Sequence, residues 1–360
     1  MKYIKDTLDF KIEEPSVITL GKFDGLHTGH RYLMDAMQKG KEQGLKCVIF
    51  TFDIPPKAIH KDAYSVLSTN EEKAHIFAEA GVDYLVECPF TDEFRQLSPY
   101  AFLQMLKEKI NVKMIVAGTD FHFGYQRSGT YRELQQYADD LGYEAVIVKK
   151  KQYKGEDISS TRIRARIAEG DMEEANYLLG YSYFLTGPVL HGNEIGRTIG
   201  IPTANQRPET FKLLPPKGVY AVKVLAEGKQ YDGISNVGCK PTIEGINPMG
   251  VETFLFDYSG DLYGKDIRVS FLKFIRPEQK FGSLAELKAQ MDRDILVCKE
   301  YLKNVPYVTI DAEENMELAR RYGVMQAPTL VVVNGDSHKK YVNASNIKKY
   351  VDQLTLVGVE

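Results

Sequence analysis

Cysteine is scarce in this chain, and none of it is paired in sequence. Cys47, Cys88, Cys239 and Cys298 are scattered along 360 residues with no C-x-x-C. That excludes a zinc ribbon and a dithiol redox centre, and it points to reduced thiols in a cytoplasmic protein. Neither sign of charge is in excess. Lys and Arg number 46 and Asp and Glu 49, a formal net charge of −3. General affinity for nucleic acid is therefore not expected, and any phosphate binding has to be local. No window approaches a membrane span, and Met1 to Asp6 lead into no apolar run of signal-peptide length. Internal repeats and low-complexity linkers are also missing. The length exceeds what one hydrophobic core usually serves, so two or three domains are expected.

What the chain does contain is two unrelated stretches suited to phosphate. Gly21-Lys22-Phe23-Asp24-Gly25-Leu26-His27-Thr28-Gly29-His30 lies near the start, and Gly196-Arg197-Thr198-Ile199-Gly200-Ile201-Pro202-Thr203-Ala204-Asn205 lies past the middle. From about residue 16 to 180, short apolar runs alternate with helical patterns. Val17–Leu20, Cys47–Phe52, Tyr84–Val86, Met114–Ala117 and Ala145–Val148 read as strands of a parallel sheet covered on both faces. His30 to Lys39 reads as the helix after the first strand, and Ser68-x-x-Glu71 has the spacing of a capping box. After Gly180 the chain turns to Gly, Pro and β-branched residues. Val219–Val224, Thr253–Phe256 and Ile267–Phe271 suggest a small β-barrel, and Ser283-x-x-Glu286 caps a helix towards Lys303. From Asn304 the order is strand (Tyr307–Ile310), helix (Glu314–Tyr322), strand (Thr329–Val333), a turn at Asn334-Gly335, strand (Lys340–Val342) and a last helix, Asn346 to Leu354.

The first stretch joins a strand to a helix. Gly21, Gly25 and Gly29 allow close backbone approach, and a helix N-terminus offers unpaired N–H groups to an anion. His27 and His30, three residues apart, can project from the first turn toward the same phosphates, where negative charge grows in a phosphoryl-group transition state. A lone His-x-x-His is more often two packing or surface histidines; Phe23, Asp24 and the glycines reverse that weighting here. Ile158-Ser159-Ser160-Thr161-Arg162-Ile163-Arg164 opens another helix, and two hydroxyls and a guanidinium at its start can close on a triphosphate from the other side. Together, His27-Thr28-Gly29-His30 and Ser159-Ser160-Thr161-Arg162 resemble the HxGH/SSTxxR nucleotidylyltransferases. The longer string Gly21–His30 is similar to the adenylyltransferase half of bacterial bifunctional riboflavin kinase/FAD synthetases. Gly118-Thr119-Asp120-Phe121-His122-Phe123-Gly124 matches that family's internal motif, with His122 where arginine is commoner. The resemblance implies His27, His30 and Arg162 as catalytic residues, Ser160 and Thr161 as phosphate ligands, and Asp120 at the flavin.

The second stretch is not a Walker A loop, because the Gly-Lys-Ser/Thr ending is absent. Gly187, His191, Gly192, Gly196, Arg197 and Gly200 can wrap a phosphate, Thr203 and Asn205 offer oxygens suited to Mg²⁺, and Glu252 is a carboxylate able to take a proton. An isolated glutamate at a strand start is more often an edge-strand solubility residue. Pro202–Asn205, Gly218–Tyr220, Asn236–Thr242, Glu252–Asp257 and Arg276–Phe281 together resemble riboflavin kinase. That resemblance implies Mg²⁺-ATP on Thr203 and Asn205, Glu252 as general base on the ribityl hydroxyl, and Arg276 and Phe281 at the flavin.

Taken together, the resemblance implies an α/β nucleotidylyltransferase domain of Rossmann-like, HxGH type at residues 1–182 and a riboflavin kinase β-barrel at 183–303. Riboflavin, ATP and FMN are the expected substrates, Mg²⁺ the cofactor, and FMN and FAD the products. Residues 304–360 resemble half of a thioredoxin or glutaredoxin fold, with Gln326-Ala327-Pro328-Thr329 in place of its cis-proline loop. That tail is a candidate surface for self-association or a protein partner; Cys298 upstream reads as an inert thiol. Two alternatives stand beside this reading: an active kinase with a degraded adenylyltransferase domain, and a flavin-binding scaffold that recruits partners through the tail.

Overall fold

Runs that are apolar throughout can be strands only if both faces of their sheet are covered, which favours parallel pairing with helical crossovers. Five such runs do this: β2 (Ser16–Leu20), β3 (Lys46–Phe52), β4 (Tyr84–Cys88), β5 (Val112–Gly118) and β6 (Glu144–Val148). A further strand, β1 (Lys2–Lys5), joins the β4 edge in parallel, giving the order β1-β4-β3-β2-β5-β6. The computed structural model describes residues 1–53, 65–192, 195–239, 249–303, 316–326, 328–334 and 337–347. It divides into two units, Met1–Lys303 and Asn304–Glu360.

Helices α1 (Thr28–Glu42) and α2 (Asn70–Glu79) cover one face of the sheet, where Met37, Ile76 and Phe77 pack on Val17, Ile49, Leu85 and Val116. On the other face, α3 (Pro99–Ile110) sets Phe102, Leu103 and Leu106 against Ile18, Val48, Phe50 and Ile115. From β2 the chain builds outward through β3 and β4, then returns to place β5 on the opposite side of β2. The loop that leaves β2 thus opens at the point where strand order reverses, the usual ligand crevice of an open α/β sheet.

Helices α4 (Ser160–Ala168) and α5 (Met172–Leu179) share a core with the second sheet, through Ile163, Ile167, Leu178 and Leu179 against Tyr220, Val222, Val269 and Phe271. That sheet is antiparallel. Its strands are β7 (Phe184–Pro188), β8 (Ala204–Gln206), β9 (Gly218–Ala226), β10 (Lys229–Cys239), β11 (Met249–Leu255) and β12 (Asp266–Pro277), in the order β7-β12-β9-β10-β11-β8. The ends nearly meet. Leu190, just past β7, bridges to Asn205 on β8, and Gln206 Nε2 donates to the Gly187 carbonyl at 2.8 Å, closing the barrel. Outside it, α6 (Leu284–Lys303) packs Ile295, Cys298 and Leu302 on Val219, Ala221 and Ile234. Burial there pushes the Cys298 thiol up to about 12, as expected of an inert thiol.

Two details depart from the sequence reading. Strand β1 was not anticipated, because Lys-Tyr-Ile-Lys shows no pattern strong enough to compete with its edge position. The capping box of α2 is shifted by one residue. Thr69, not Ser68, is the N-cap, and Thr69 and Glu72 bond reciprocally to each other's backbone N–H. Ser68 is unavailable because its own N–H is held by Asp24 at 3.2 Å.

In the second unit, the described residues include α7 (Met316–Arg321) and a hairpin of β13 (Thr329–Asn334) and β14 (Ser337–Val342). A helical turn begins at Asn343, whose side chain accepts from Asn346 N–H. The expected strand 307–310, Ala327, Gly335 and the end of the last helix lie outside the described residues, as do Lys240 to Thr242 in the first unit.

The capping geometry makes a prediction. Thr69→Ala should lower stability to urea by about 1 kcal/mol, the usual cost of losing an N-cap, whereas Glu71→Ala should change it little. Equal losses from the two variants would return the cap to the Ser68 frame.

Candidate active sites

Helix α1 begins on an imidazole. His27 is its N-cap, with extended backbone (φ −74°, ψ 169°), and its Nδ1 accepts the His30 N–H at 3.2 Å. The two rings stack with centroids 3.7 Å apart and planes 13° from parallel. His30 Nδ1 lies 3.3 Å from the Gly25 carbonyl. A carbonyl only accepts, so that nitrogen carries the proton and Nε2 is the basic end. Burial pushes His30 down to about 4, and the Gly25 carbonyl and Asp120 offset it only in part. Burial, with His30 alongside, pushes His27 down to about 2. Both are therefore neutral imidazoles near pH 7. Phe23 walls the pair, its ring edge-on to His30 at 5.1 Å. Gly25 has φ +66°, and a Cβ there would come within 2.7 Å of Leu67; one on Gly29 would sit 3.1 Å from the His27 ring.

Asp24 ties this loop to its surroundings. One carboxylate oxygen accepts the Leu67 N–H at 2.7 Å and the Ser68 N–H, and the other pairs with Arg164. Ser160 Oγ donates to the Asp24 carbonyl at 2.7 Å. Lys22, Phe23, Asp24, His30, Ser65, Ser160 and Arg164 line a cavity of about 440 Å³. Gly21 packs under the Phe23 ring.

Arg162 is not among these residues. Its guanidinium donates to the Tyr153 carbonyl at 2.8 Å, the Glu156 carbonyl at 3.3 Å and the Glu174 carboxylate at 2.7 Å, which fixes it to a hairpin and α5. Thr161 is exposed and is not part of the lining. Helical phase explains both. Arg164 lies four residues after Ser160 and shares its face, while Thr161 and Arg162 point elsewhere. Arg164 and Lys22 were not picked out as site residues; for Arg164 the signal was the SSTxxR spacing itself, which from Ser159-Ser160-Thr161 sets the arginine at 164 rather than 162. Asp120 pairs with Lys150 at 3.2 Å, and its carbonyl accepts from exposed His122 at 2.7 Å.

The second site is a matter of register. Across the barrel strands, Asn205 lies opposite Glu252, and Glu252 opposite Asn236. Directly opposed residues project to one face, so these three form a polar row. The neighbouring pair Ser235 and Thr253 faces the core, hydroxyl to hydroxyl at 2.6 Å. Asn205 Nδ2 donates to the Thr203 carbonyl at 3.2 Å, which commits the amide nitrogen and makes the oxygen the end able to ligate a cation. A Cβ on Gly192 would lie 2.6 Å from that nitrogen. The Gly196 carbonyl accepts from Ile199 and Ile201, Gly200 takes φ +78°, and Arg197 is exposed. His191 is exposed and stacks on Tyr263 at 3.8 Å.

Arg276, expected at the flavin, is engaged elsewhere. It grips buried Asp294 of α6 through Nε at 3.0 Å and an amino nitrogen at 2.6 Å, and its guanidinium lies 5.9 Å from the Phe281 ring. A cation on a strand and a carboxylate 18 residues on can meet only once the helix has docked. Glu278, two residues on, accepts from Asn236 at 3.4 Å and so borders the polar row.

Known proteins match this chain in two consecutive parts. Residues 9–162 match the FAD synthetase family and residues 179–302 the riboflavin kinase family. The bifunctional riboflavin kinase/FMN adenylyltransferase of Escherichia coli K12 is 39% identical over 80% of this chain and 93% of its own length. Its counterpart in Listeria monocytogenes is 38% identical over 77% and 90%. A crystal structure described as a macrolide-efflux protein from Streptococcus pneumoniae superposes with TM-score 0.74 at 33% identity, covering 83% of this chain and 99% of that one. Among the described residues of this chain no helix is long and apolar enough to cross a membrane. With both family matches in order, and with relatives of this identity spanning most of both chains, the chain belongs to the bifunctional riboflavin kinase/FMN adenylyltransferase family.

Proposed function

We propose that the Asp24–Arg164 cavity is where ATP meets FMN, and that the Asn205–Glu252–Asn236 row belongs to riboflavin phosphorylation. On this reading residues 1–182 carry adenylyl transfer, 183–303 the kinase, and 304–360 neither. The observation that carries the first assignment is that His30, in the first turn of α1 and stacked on the N-cap His27, lines one cavity with Arg164 and Lys22. An FMN phosphate oxygen attacks the α-phosphorus of ATP, and the bond to pyrophosphate breaks. Arg164, Lys22 and the first amides of α1 hold the phosphates; neutral His27, protonated at Nε2, can donate to the oxygens on which charge grows, whereas His30 does so through Nε2 once it has taken up a proton. Asp120, at the end of the β5 crossover, remains the flavin-side candidate.

In the barrel, Glu252 takes the proton of the ribityl 5′-hydroxyl as that oxygen attacks the γ-phosphorus, and ADP leaves. The donors present fit Mg²⁺. Among the described residues there is no group of three or more His, Cys, Asp or Glu side chains that could hold a metal. The cation would rest instead on the Thr203 hydroxyl, the Asn205 amide oxygen and substrate phosphates, all hard oxygens. When bound it neutralises phosphate charge. Gly192 and Gly196 come close to that pair, a Cβ on them meeting Asn205 and Thr203 respectively, and Gly187, His191, Arg197 and Gly200 remain candidates for the phosphates. Phe281, near Glu278, is the aromatic candidate for the flavin ring. We place the chemistry in the cytoplasm, where a reducing environment suits four free cysteines. The tail, with Met325 93% exposed, is left for self-association or a protein partner.

The two assignments separate by mutation. Glu252→Ala should stop FMN formation by about two to four orders of magnitude and leave conversion of supplied FMN to FAD intact. Arg164→Ala should do the reverse, while Arg162→Ala lowers stability more than turnover. Chromatography of riboflavin, FMN and FAD reads all three, and loss of both activities in either soluble active-site variant would sink the two-site assignment.

The histidine pair predicts a pH dependence. The folded-state pKa of His30 lies below the usual 6.5, at about 4. Its contribution to stability is therefore complete above pH 6.5 and is lost as pH falls toward 4, because the unfolded chain takes up the proton first. Urea titrations between pH 7.5 and 4.5 should show that decline, and it should shrink in His30→Phe. In NMR titrations of the ligand-free protein neither imidazole should protonate above pH 5. Addition of a non-hydrolysable ATP analogue should raise both pKa values.

Truncation after Lys303 should preserve both turnover numbers. A folded, truncated protein without kinase activity would place the tail in the active unit.

A further inference from the structure

The two catalytic halves meet at a charge pair taken out of water. Lys212, in the riboflavin kinase stretch, places its ammonium 2.6 Å from the carboxylate of Glu72 on α2, with side chains only 1% and 2% exposed. Glu72 serves both halves. One oxygen accepts the Thr69 N–H and the Lys212 ammonium; the other accepts the Thr186 N–H of β7. Lys212 also donates to the Leu67 carbonyl at 2.7 Å and lies 4.5 Å above the Tyr183 ring. Alongside, the Val66 N–H donates to the Phe211 carbonyl and the Leu213 N–H to the Val66 carbonyl.

Leu67 is the connecting residue. Its carbonyl is held by Lys212 from the kinase half, and its N–H is held by Asp24 from the adenylyltransferase half. The same Asp24 carboxylate positions Arg164 at the cavity wall. We infer that Lys212 is a positioning residue for adenylyl transfer: the kinase half fixes, through Leu67 and Asp24, the arginine that faces ATP. This rests on the assignment of the Asp24–Arg164 cavity to adenylyl transfer. Nothing in the chemistry of phosphorylating riboflavin needs this lysine, so its loss should be felt at the other site.

Lys212→Met alone would leave Glu72 charged, buried and without its cation, and a loss of folding would obscure the effect. The decisive proteins are two charge-free pairs, Glu72→Gln/Lys212→Met and Glu72→Gln/Lys212→Gln. In each, the Gln oxygen at position 72 can accept from only one of the Thr69 and Thr186 N–H groups, a loss shared with Glu72→Gln alone, which is therefore the reference; beyond it the pair removes the long donor to Leu67. In either pair the KM for ATP in adenylyl transfer should rise about tenfold or more, with the KM for FMN and the rate of riboflavin phosphorylation within about twofold, as expected of a displaced binding group. Hydrogen exchange at the Leu67 and Ser68 amides should quicken. A merely structural pair would lower kcat by reducing the active fraction and leave both KM values alone; that result overturns the inference. So does an unchanged KM for ATP in a pair that melts with the unsubstituted protein. Arg164→Ala is measured in parallel: if it too leaves adenylyl transfer unchanged, the cavity assignment has failed rather than the role of Lys212.

Discussion

The Asp24 carboxylate is the point on which the first site depends. A carboxylate can accept several hydrogen bonds at once, and this one is shared among three claims that no regular element could meet. The amides of Leu67 and Ser68 belong to a segment lying between a strand and a helix, so the β3 ladder does not serve them. Arg164 needs an anion to hold its guanidinium toward the cavity without filling it. Because Asp24 sits between Phe23 and Gly25, fixing it also fixes the turn from which His27 and His30 start. If this cavity takes ATP as proposed, the triphosphate would find its donors already oriented, with little reorganisation left for the moment of reaction.

The two sites solve phosphate chemistry with different local physics. The first lies at the start of a helix, where neutral His30, stacked on His27, faces a cavity beside the central strand. Burial keeps His27 and His30 uncharged near pH 7. The second uses antiparallel register, which sets Asn205, Glu252 and Asn236 side by side at strand spacing with no helix involved. Glu252, the proposed base, inherits the rigidity of the barrel in such a row, and the Ser235–Thr253 contact behind it leaves the alternation of faces no slack. The Arg276–Asp294 grip serves the same end from outside, holding α6 against the strand that leads to Glu278.

Much of this was legible in the sequence because it is local. Apolar runs such as Val17–Leu20 and Cys47–Phe52 can hardly be anything but buried strands, and a glycine-rich turn carrying two histidines before a helix announces its chemistry. Legibility failed where phase or tertiary contact decides. Ser68-Thr69-Asn70-Glu71-Glu72 holds two overlapping capping frames, and the choice is made by Asp24, more than forty positions away. Arg162 and Arg164 stand two positions apart in one motif; the helical angle separates the one that grips Glu174 from the one that lines the cavity. The resemblance places Arg276 at the flavin; that it grips Asp294 is a tertiary contact with a helix whose docking the sequence does not display. Lys212, in Phe211-Lys212-Leu213-Leu214, carries no mark at all of being buried.

That last residue bears on why two enzymes share one chain. A buried ion pair is seldom the most stabilising choice, since the desolvation of both charges offsets most of their attraction, and a well-packed apolar pair often does as well. What the Lys212–Glu72 pair supplies is direction. An apolar contact would let the two halves slide over each other by fractions of an ångström, whereas an ammonium bonded to one carboxylate oxygen and one carbonyl has few equivalent positions. The bonds from Thr186 and Val66 across the same seam narrow the choice further. Linkage in one chain therefore does more than keep two activities at equal copy number. The barrel lends its rigidity to a segment that, among the described residues, its own half holds through Asp24 on the Leu67 and Ser68 amides and Arg164 on the Ser65 carbonyl.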